Sequence, residues 1–245
     1  MIEPAPIKRK KTKTEKLAYG ITIATITPFQ ILLIIWFSYS ICHSPQLIAL
    51  GNQGYPHIYI YQIIIDTISI FFISIFPLLP VFILNKKGKI KSYTTQREDR
   101  FVLLGLSSIG WFIVILVYII LDQILLVNMR NFIIFGTAYF IIALINIVIT
   151  SGLKFKTSLH MSGATSSITM LYISYAYFGG VPEYQLLALL FLFLPPIAWA
   201  KWKMQKSFQR GHTIPQLISG FLIGFIVVYL TIITYRFLGF PIAWF

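Results

Sequence analysis

The chain has 245 residues, of which 57% are hydrophobic and only 11% charged, and its formal net charge is +13. A soluble domain carries about 25% charged residues, so the composition argues against a soluble enzyme and for an integral membrane protein. The positive charge is confined to short segments between apolar runs, where it sets orientation and meets anionic headgroups, so nucleic acid is not an expected partner.

In chain order, the opening MIEPAPIKRKKTKTEK reads as a basic tail (residues 1–17) ahead of a single membrane domain (residues 18–245). The apolar run behind it is too long for the core of a cleaved signal and lacks a small-x-small cleavage site, so it reads as a retained first helix. A spanning helix needs about 20 mostly apolar residues. Seven runs meet that need, at roughly 18–42, 58–84, 101–121, 132–150, 160–178, 184–200 and 214–238. The expected fold class is therefore all-α, a polytopic membrane helical bundle of about seven transmembrane helices. Pro77 and Pro80 are expected to kink the second run near its end. Cys42 is the single cysteine, so no intrachain disulfide can form.

The connecting segments sort by charge. Every Lys and Arg except Arg130 and Arg236 lies in the tail, in NKKGKIKSYTTQREDR (85–100), in the Lys154–Lys156 loop or in KWKMQKSFQRGH (201–212). The positive-inside rule then makes the N-terminus and these loops cytoplasmic and the C-terminus external. The expected location is a bacterial-type inner (plasma) membrane. Whatever the orientation, the loops after the second, fourth and sixth runs share one face by parity. That face carries Arg97, Arg100, Lys154, Lys156, His160, Lys206, Arg210 and His212, while His43 and His57 lie on the other.

Cations gathered at one membrane surface, with Glu98 and Asp99 as the nearby acids, suit an anionic ligand. Arg offers a planar fork to phosphate oxygens and Lys a point charge. A His titrates near neutrality and can act as nucleophile or proton donor. With two beside a phosphate, one could attack while the other protonates the leaving oxygen. Most basic residues at helix ends serve topology alone, and the lysines of the tail and of 86–91 are read that way. The pair His160 and His212 is more specific, because each opens a helix on the same face. Elsewhere, Asp66 lies inside the second run and is read as local structure. Asn146 could hydrogen-bond across helices or support the site from below, and Gly220 and Gly224 form a small-xxx-small packing pair.

Two stretches carry a resemblance. TSLHMSGATSS places Ser158, Leu159 and His160 ahead of the small run 162–167. KSFQRGHTIPQLISGFLIG places Lys206 six residues before His212, Gln216 four after it, and Gly220 and Gly224 beyond. Together, over roughly residues 146–228, they resemble the second (Pro-Ser-Gly-His) and third (Ser-Arg, five residues, His, three residues, Asp) motifs of the type-2 phosphatidic acid phosphatase superfamily of membrane lipid phosphatases. Thr157 and Leu159 stand where that family has Pro and Gly, Lys206 where it has Arg, and Gln216 where it has Asp. The first motif is absent as written, with Lys154, Lys156, Arg97 and Arg100 as candidate replacements. The resemblance is to a divergent branch.

The resemblance implies a six-helix phosphatase-like core within the bundle and a metal-independent, cofactor-free lipid phosphate hydrolase. It implies His212 as nucleophile forming a phosphohistidine, His160 as acid and then base, and Gln216 orienting His212. Arg97, Arg100, Lys154, Lys156, Ser158, Lys206 and Arg210 would hold the phosphoryl oxygens, and the partner would be a membrane lipid phosphate in the bilayer. A phosphotransferase using the same residues, and a non-catalytic lipid-phosphate binder, transporter or flippase, stay open beside it. No positive feature marks a protein partner.

Overall fold

The computed structural model describes residues 12–24, 58–87, 97–125, 130–178, 183–208 and 211–238. Among these residues the regular structure is helical throughout: α1 (Lys13–Ala24), α2 (Ile58–Ser69), a π-helical segment (Ile70–Ile75), α3 (Phe76–Lys86), α4 (Arg97–Leu125), α5 (Arg130–Gly152), α6 (Leu159–Phe178), α7 (Glu183–Phe208) and α8 (Ile214–Phe237). Because α2, the π segment and α3 are continuous, the described residues form seven helical rods. Four stretches, Ile63–Leu84, Phe101–Gln123, Phe132–Gly152 and Ile214–Phe237, are long and apolar enough to cross a membrane. The chain is a helical membrane protein on that ground.

The first helix starts inside the stretch expected as tail. Thr12 and Glu15 explain the early start through a capping box: the Thr12 N–H donates to Glu15 Oε2 at 2.9 Å and the Glu15 N–H to Thr12 Oγ1 at 3.3 Å. The rest of the first expected span, His43 and His57 lie outside the described residues. In the second rod the prolines act one turn upstream of themselves. Pro77 and Pro80 lack the N–H that would close the ordinary helical bond, and the turn before them widens so that the Phe76 N–H donates to the Phe71 carbonyl. The Phe72 carbonyl lies against α4 at Gly110, where a Cβ would sit 2.3 Å from it.

Neighbouring contacts order the rods as α2/α3, α4, α5, α8, α6, α7 and α1, with α5 also touching α6. Helices α4 and α5 run antiparallel: Trp111 stacks on Tyr139 at 4.5 Å between ring centroids, and Tyr118 meets Phe132 a turn or two along. That register brings the Arg97–Arg100 start of α4 to the same end as the Gly152 end of α5.

Helices α6 and α8 run parallel and very close. A Cβ on Gly220 would lie 2.4 Å from the Ser158 carbonyl oxygen, and one on Gly224 would lie 2.4 Å from that of Ser162. Small residues thus face small residues at four-residue spacing on both helices, the geometry that lets backbones approach. Helix α6 pays for its central place with buried hydroxyls at Ser162, Thr165, Ser166, Ser167 and Thr169. Several bond back to the helix, with Ser166 Oγ donating to the Ser162 carbonyl at 2.7 Å and Ser167 Oγ to Gly163 at 2.9 Å.

Gly224→Val is expected to lower the thermal unfolding midpoint in detergent, because the added atoms have no room and overpacking costs about 1–3 kcal/mol. Gly105→Ala, where a Cβ meets nothing within 4 Å, is expected to leave the midpoint unchanged or raise it. Equal responses from the two variants would contradict the close α6–α8 contact.

Candidate functional site

The segment from Leu153 to Ser158 joins α5 to α6 and is held from below. Thr157 is fully buried and its hydroxyl donates to Asn146 Oδ1, while Asn146 Nδ2 donates to the Ile142 carbonyl at 2.7 Å. Asn146 is itself wholly buried on α5, so its amide anchors the loop to the helix that precedes it. Lys154 has φ 52°, in the left-handed region, which costs a residue with a Cβ roughly 1–2 kcal/mol. The chain turns there, leaving Lys154 exposed and Lys156 half-buried.

Ser158 ends the segment as the cap of α6. It is wholly buried, its N–H donates to the Gln216 carbonyl at 3.0 Å, and its hydroxyl accepts from the Met161 N–H at 3.4 Å. Its hydroxyl is therefore engaged at the helix end. His160 follows in the first turn of α6, where the partial positive charge of the helix terminus favours a bound anion.

Across from it stands Lys201. Helix α7 does not stop at the end of the 184–200 run but continues to Phe208, so KWKMQK is helical and one of its lysines faces inward. Lys201 is only 5% exposed, and its Nζ lies 2.9 Å from His160 Nε2. Burial, and secondarily the positive charge of Lys156, push the Lys201 ammonium down from the usual lysine range to about 7. Lys201 lies just beyond the apolar run, with its amine within hydrogen-bond reach of the His160 ring.

The same residue also positions the second histidine. The His212 N–H donates to the Lys201 carbonyl at 3.1 Å, and the Gly211 N–H to Gln205 Oε1 at 3.1 Å. The loop approaches α7 so closely that a Cβ on Gly211 would fall 1.8 Å from the Lys201 carbonyl oxygen, so only glycine fits there. His212 is buried and its Nδ1 lies 3.3 Å from Gln216 Oε1. The Thr213 N–H donates to that same oxygen at 3.1 Å. A backbone N–H can only donate, so the Gln216 atom it meets is the carbonyl oxygen, and Nδ1 must carry the proton of the His212 bond. In the neutral ring the lone pair is then on Nε2.

Of the residues singled out in the sequence, the structure sets His160 on the Lys201 amine and the His212 backbone on its carbonyl, Gln216 on the His212 ring, and Lys156 near enough for its charge to act on Lys201, with Lys154 on the adjoining loop. Ser158 caps α6. Lys206 is exposed and lies over the Trp202 ring, 4.2 Å from its centroid, a cation–π contact on the outside of α7. The backbone at Arg97 and Arg100 opens α4 at the same end of the bundle, and Arg210 lies outside the described residues. Sequence reasoning missed Lys201 and Gly211. The signals were a first cation directly behind an apolar run and a glycine directly before the histidine.

The cluster brings two cationic side chains and two imidazoles to adjacent helix N-termini, an arrangement suited to an oxyanion. Among the described residues, no group of three or more His, Cys, Asp or Glu side chains could hold a metal ion. Comparison of the chain with known protein families, characterised proteins and solved structures finds no match.

An anion bound at this cluster would feel the titration of Lys201. With its folded value pushed down to about 7, Lys201 loses its charge above neutrality, and an anion bound beside it would restore that charge by raising the value. Binding therefore takes up a proton above about pH 7, and affinity falls as pH rises, by up to about tenfold per unit. A dialkyl phosphate, whose single charge does not titrate across this range, should show that fall by calorimetry. Lys201→Arg, charged throughout, should flatten it, and an unaltered slope in that variant would remove Lys201 from the binding site.

Proposed function

We propose that the protein is a membrane-embedded lipid phosphate phosphatase, working through a phosphohistidine on His212. The observation that carries this reading is the double engagement of Lys201, whose ammonium meets His160 and whose carbonyl holds His212. One lysine thereby joins a nucleophile candidate, an acid–base candidate and an anion-binding charge. In this reading the chain belongs to a divergent branch of the type-2 phosphatidic acid phosphatase superfamily. About seven transmembrane helices, the number of apolar runs in the sequence, then cross a bacterial-type inner membrane with the N-terminus and the site on the cytoplasmic side.

The lone pair of His212 Nε2 attacks phosphorus as the bond to the lipid oxygen breaks, and that oxygen departs with the bonding electrons. His160 delivers a proton to it, releasing the lipid alcohol. In this mechanism His160 holds the transferable proton, with Lys201 Nζ 2.9 Å from its Nε2, while Lys156 and Lys201 offset charge on the phosphoryl oxygens. Water then attacks the phosphohistidine and gives its proton to His160. The N–P bond breaks, its electrons return to His212, and inorganic phosphate leaves. Gln216 holds the His212 tautomer through Nδ1 but adds no negative charge, so its stabilisation of cationic His212 is weaker than a carboxylate would provide. That neutrality favours the second reading, a lipid-phosphate binder or transporter on the same fold. A phosphotransferase would use the same residues with an acceptor other than water.

Purified protein is expected to release inorganic phosphate from phosphatidic acid, phosphatidylglycerophosphate or polyprenyl phosphates. His212→Ala should reduce turnover by at least about a thousandfold, and acid-labile label should be trapped on His212 in the wild type. Gln216→Asp should retain or raise turnover. Binding of lipid phosphate with no release by wild type or Gln216→Asp would leave the binder reading in place of the enzyme.

A further inference from the structure

Beside the polar cluster lies an apolar cleft of about 490 Å³ between α7 and α8, floored by α6. This volume lies within the range of small-molecule sites, about 300–1,000 Å³. Its walls are Trp199 and Trp202 of α7 and Ile214, Ile218 and Phe221 of α8, with Met161 at the base. The walls grow out of the site residue by residue. Met161 follows His160, Trp202 follows Lys201, and Ile214 comes two residues after His212. From there the cleft runs along α8 to Phe221, about 10 Å of helix at 1.5 Å per residue, away from the cations.

The outer rim is open, with Ile214 57% and Ile218 53% exposed. Large apolar side chains at this exposure on the flank of a membrane helix face hydrocarbon. The two tryptophans stand at the polar end, where indole rings favour the boundary between headgroups and chains. An amphiphile with an anionic head and an apolar tail matches this gradient end to end. Water-soluble phosphates match only the polar end.

Building on the phosphatase reading, we infer that the α7–α8 cleft seats one apolar chain of the lipid phosphate, reached sideways from the bilayer past Ile214 and Ile218, with the phosphate at Lys201, His160 and His212. A chain already in hydrocarbon gains little free energy by moving into the cleft. The cleft's contribution is positional: it aligns the headgroup with the histidines.

The test places the full-length protein in phosphatidylcholine vesicles with a hexadecyl phosphate carrying a mid-chain diazirine, and maps the crosslinks by peptide mass spectrometry. Label is expected to concentrate several-fold on the cleft residues relative to the exposed Ile109, Phe112 and Leu116 of α4. Unlabelled hexadecyl phosphate should displace it and hexadecanol should not. Ile218→Trp should reduce cleft labelling, and Lys201→Met should erase the preference for phosphate over alcohol. Even labelling of α4 and the cleft, or equal displacement by the alcohol, overturns the inference. Phosphate release is followed in the same vesicles, so the two readings separate. Release with even labelling removes the cleft alone, and concentrated labelling without release removes hydrolysis alone.

Discussion

The near-contact of α6 and α8 is the constraint on which the site depends. With Gly220 against the Ser158 carbonyl and Gly224 against that of Ser162, the two helices cannot separate or slide without opening a gap that no side chain fills. Their parallel course sets two helix N-termini side by side, and the histidines lie at those termini. The Ser158 N–H bond to the Gln216 carbonyl closes the upper end of this seam. It ties the cap of one helix to the residue that orients the ring at the start of the other.

Polar groups are used sparingly elsewhere in the bundle and densely here. Helix α6 carries a row of buried hydroxyls that a lipid-facing helix could not hold, and it does so because α5, α7 and α8 enclose it. The core shared by α4, α5 and α8 is by contrast aromatic and aliphatic, built around Trp111, Phe135 and Tyr139. The division is physical. Rigid aromatic packing fixes the frame, and a helix of small polar residues fills the narrow space where backbones must approach.

Much of this was legible in the chain. Run lengths located the helices from the second run onward, and parity put His160 and His212 at one end, where the parallel α6 and α8 hold them, since helix count alone decides which end a loop occupies. The small-xxx-small pair at Gly220 and Gly224 announced close packing but not its partner, because nothing local says which of several helices has matching serines. Lys201 was hidden for a different reason. KWKMQK looks like a loop by charge, and spacing from His212 pointed to Lys206. Once those residues are helical, a five-residue step turns the side chain well over a quarter-turn around the axis, and the inward lysine is a different one. Gln216 was readable as an acceptor for His212, but its second bond, to the Thr213 N–H, depends on where α8 begins.

The two attachments of Lys201 have a mechanical corollary. Its side chain and its backbone oxygen belong to one rigid turn of α7, so any tilt or slide of that helix reaches both imidazoles together. The rings share a single reference frame, and their relative alignment is buffered against distortions that displace α7 as a body. Only a change in the pitch of that turn, or in the rotamer of the lysine, could move one ring without the other.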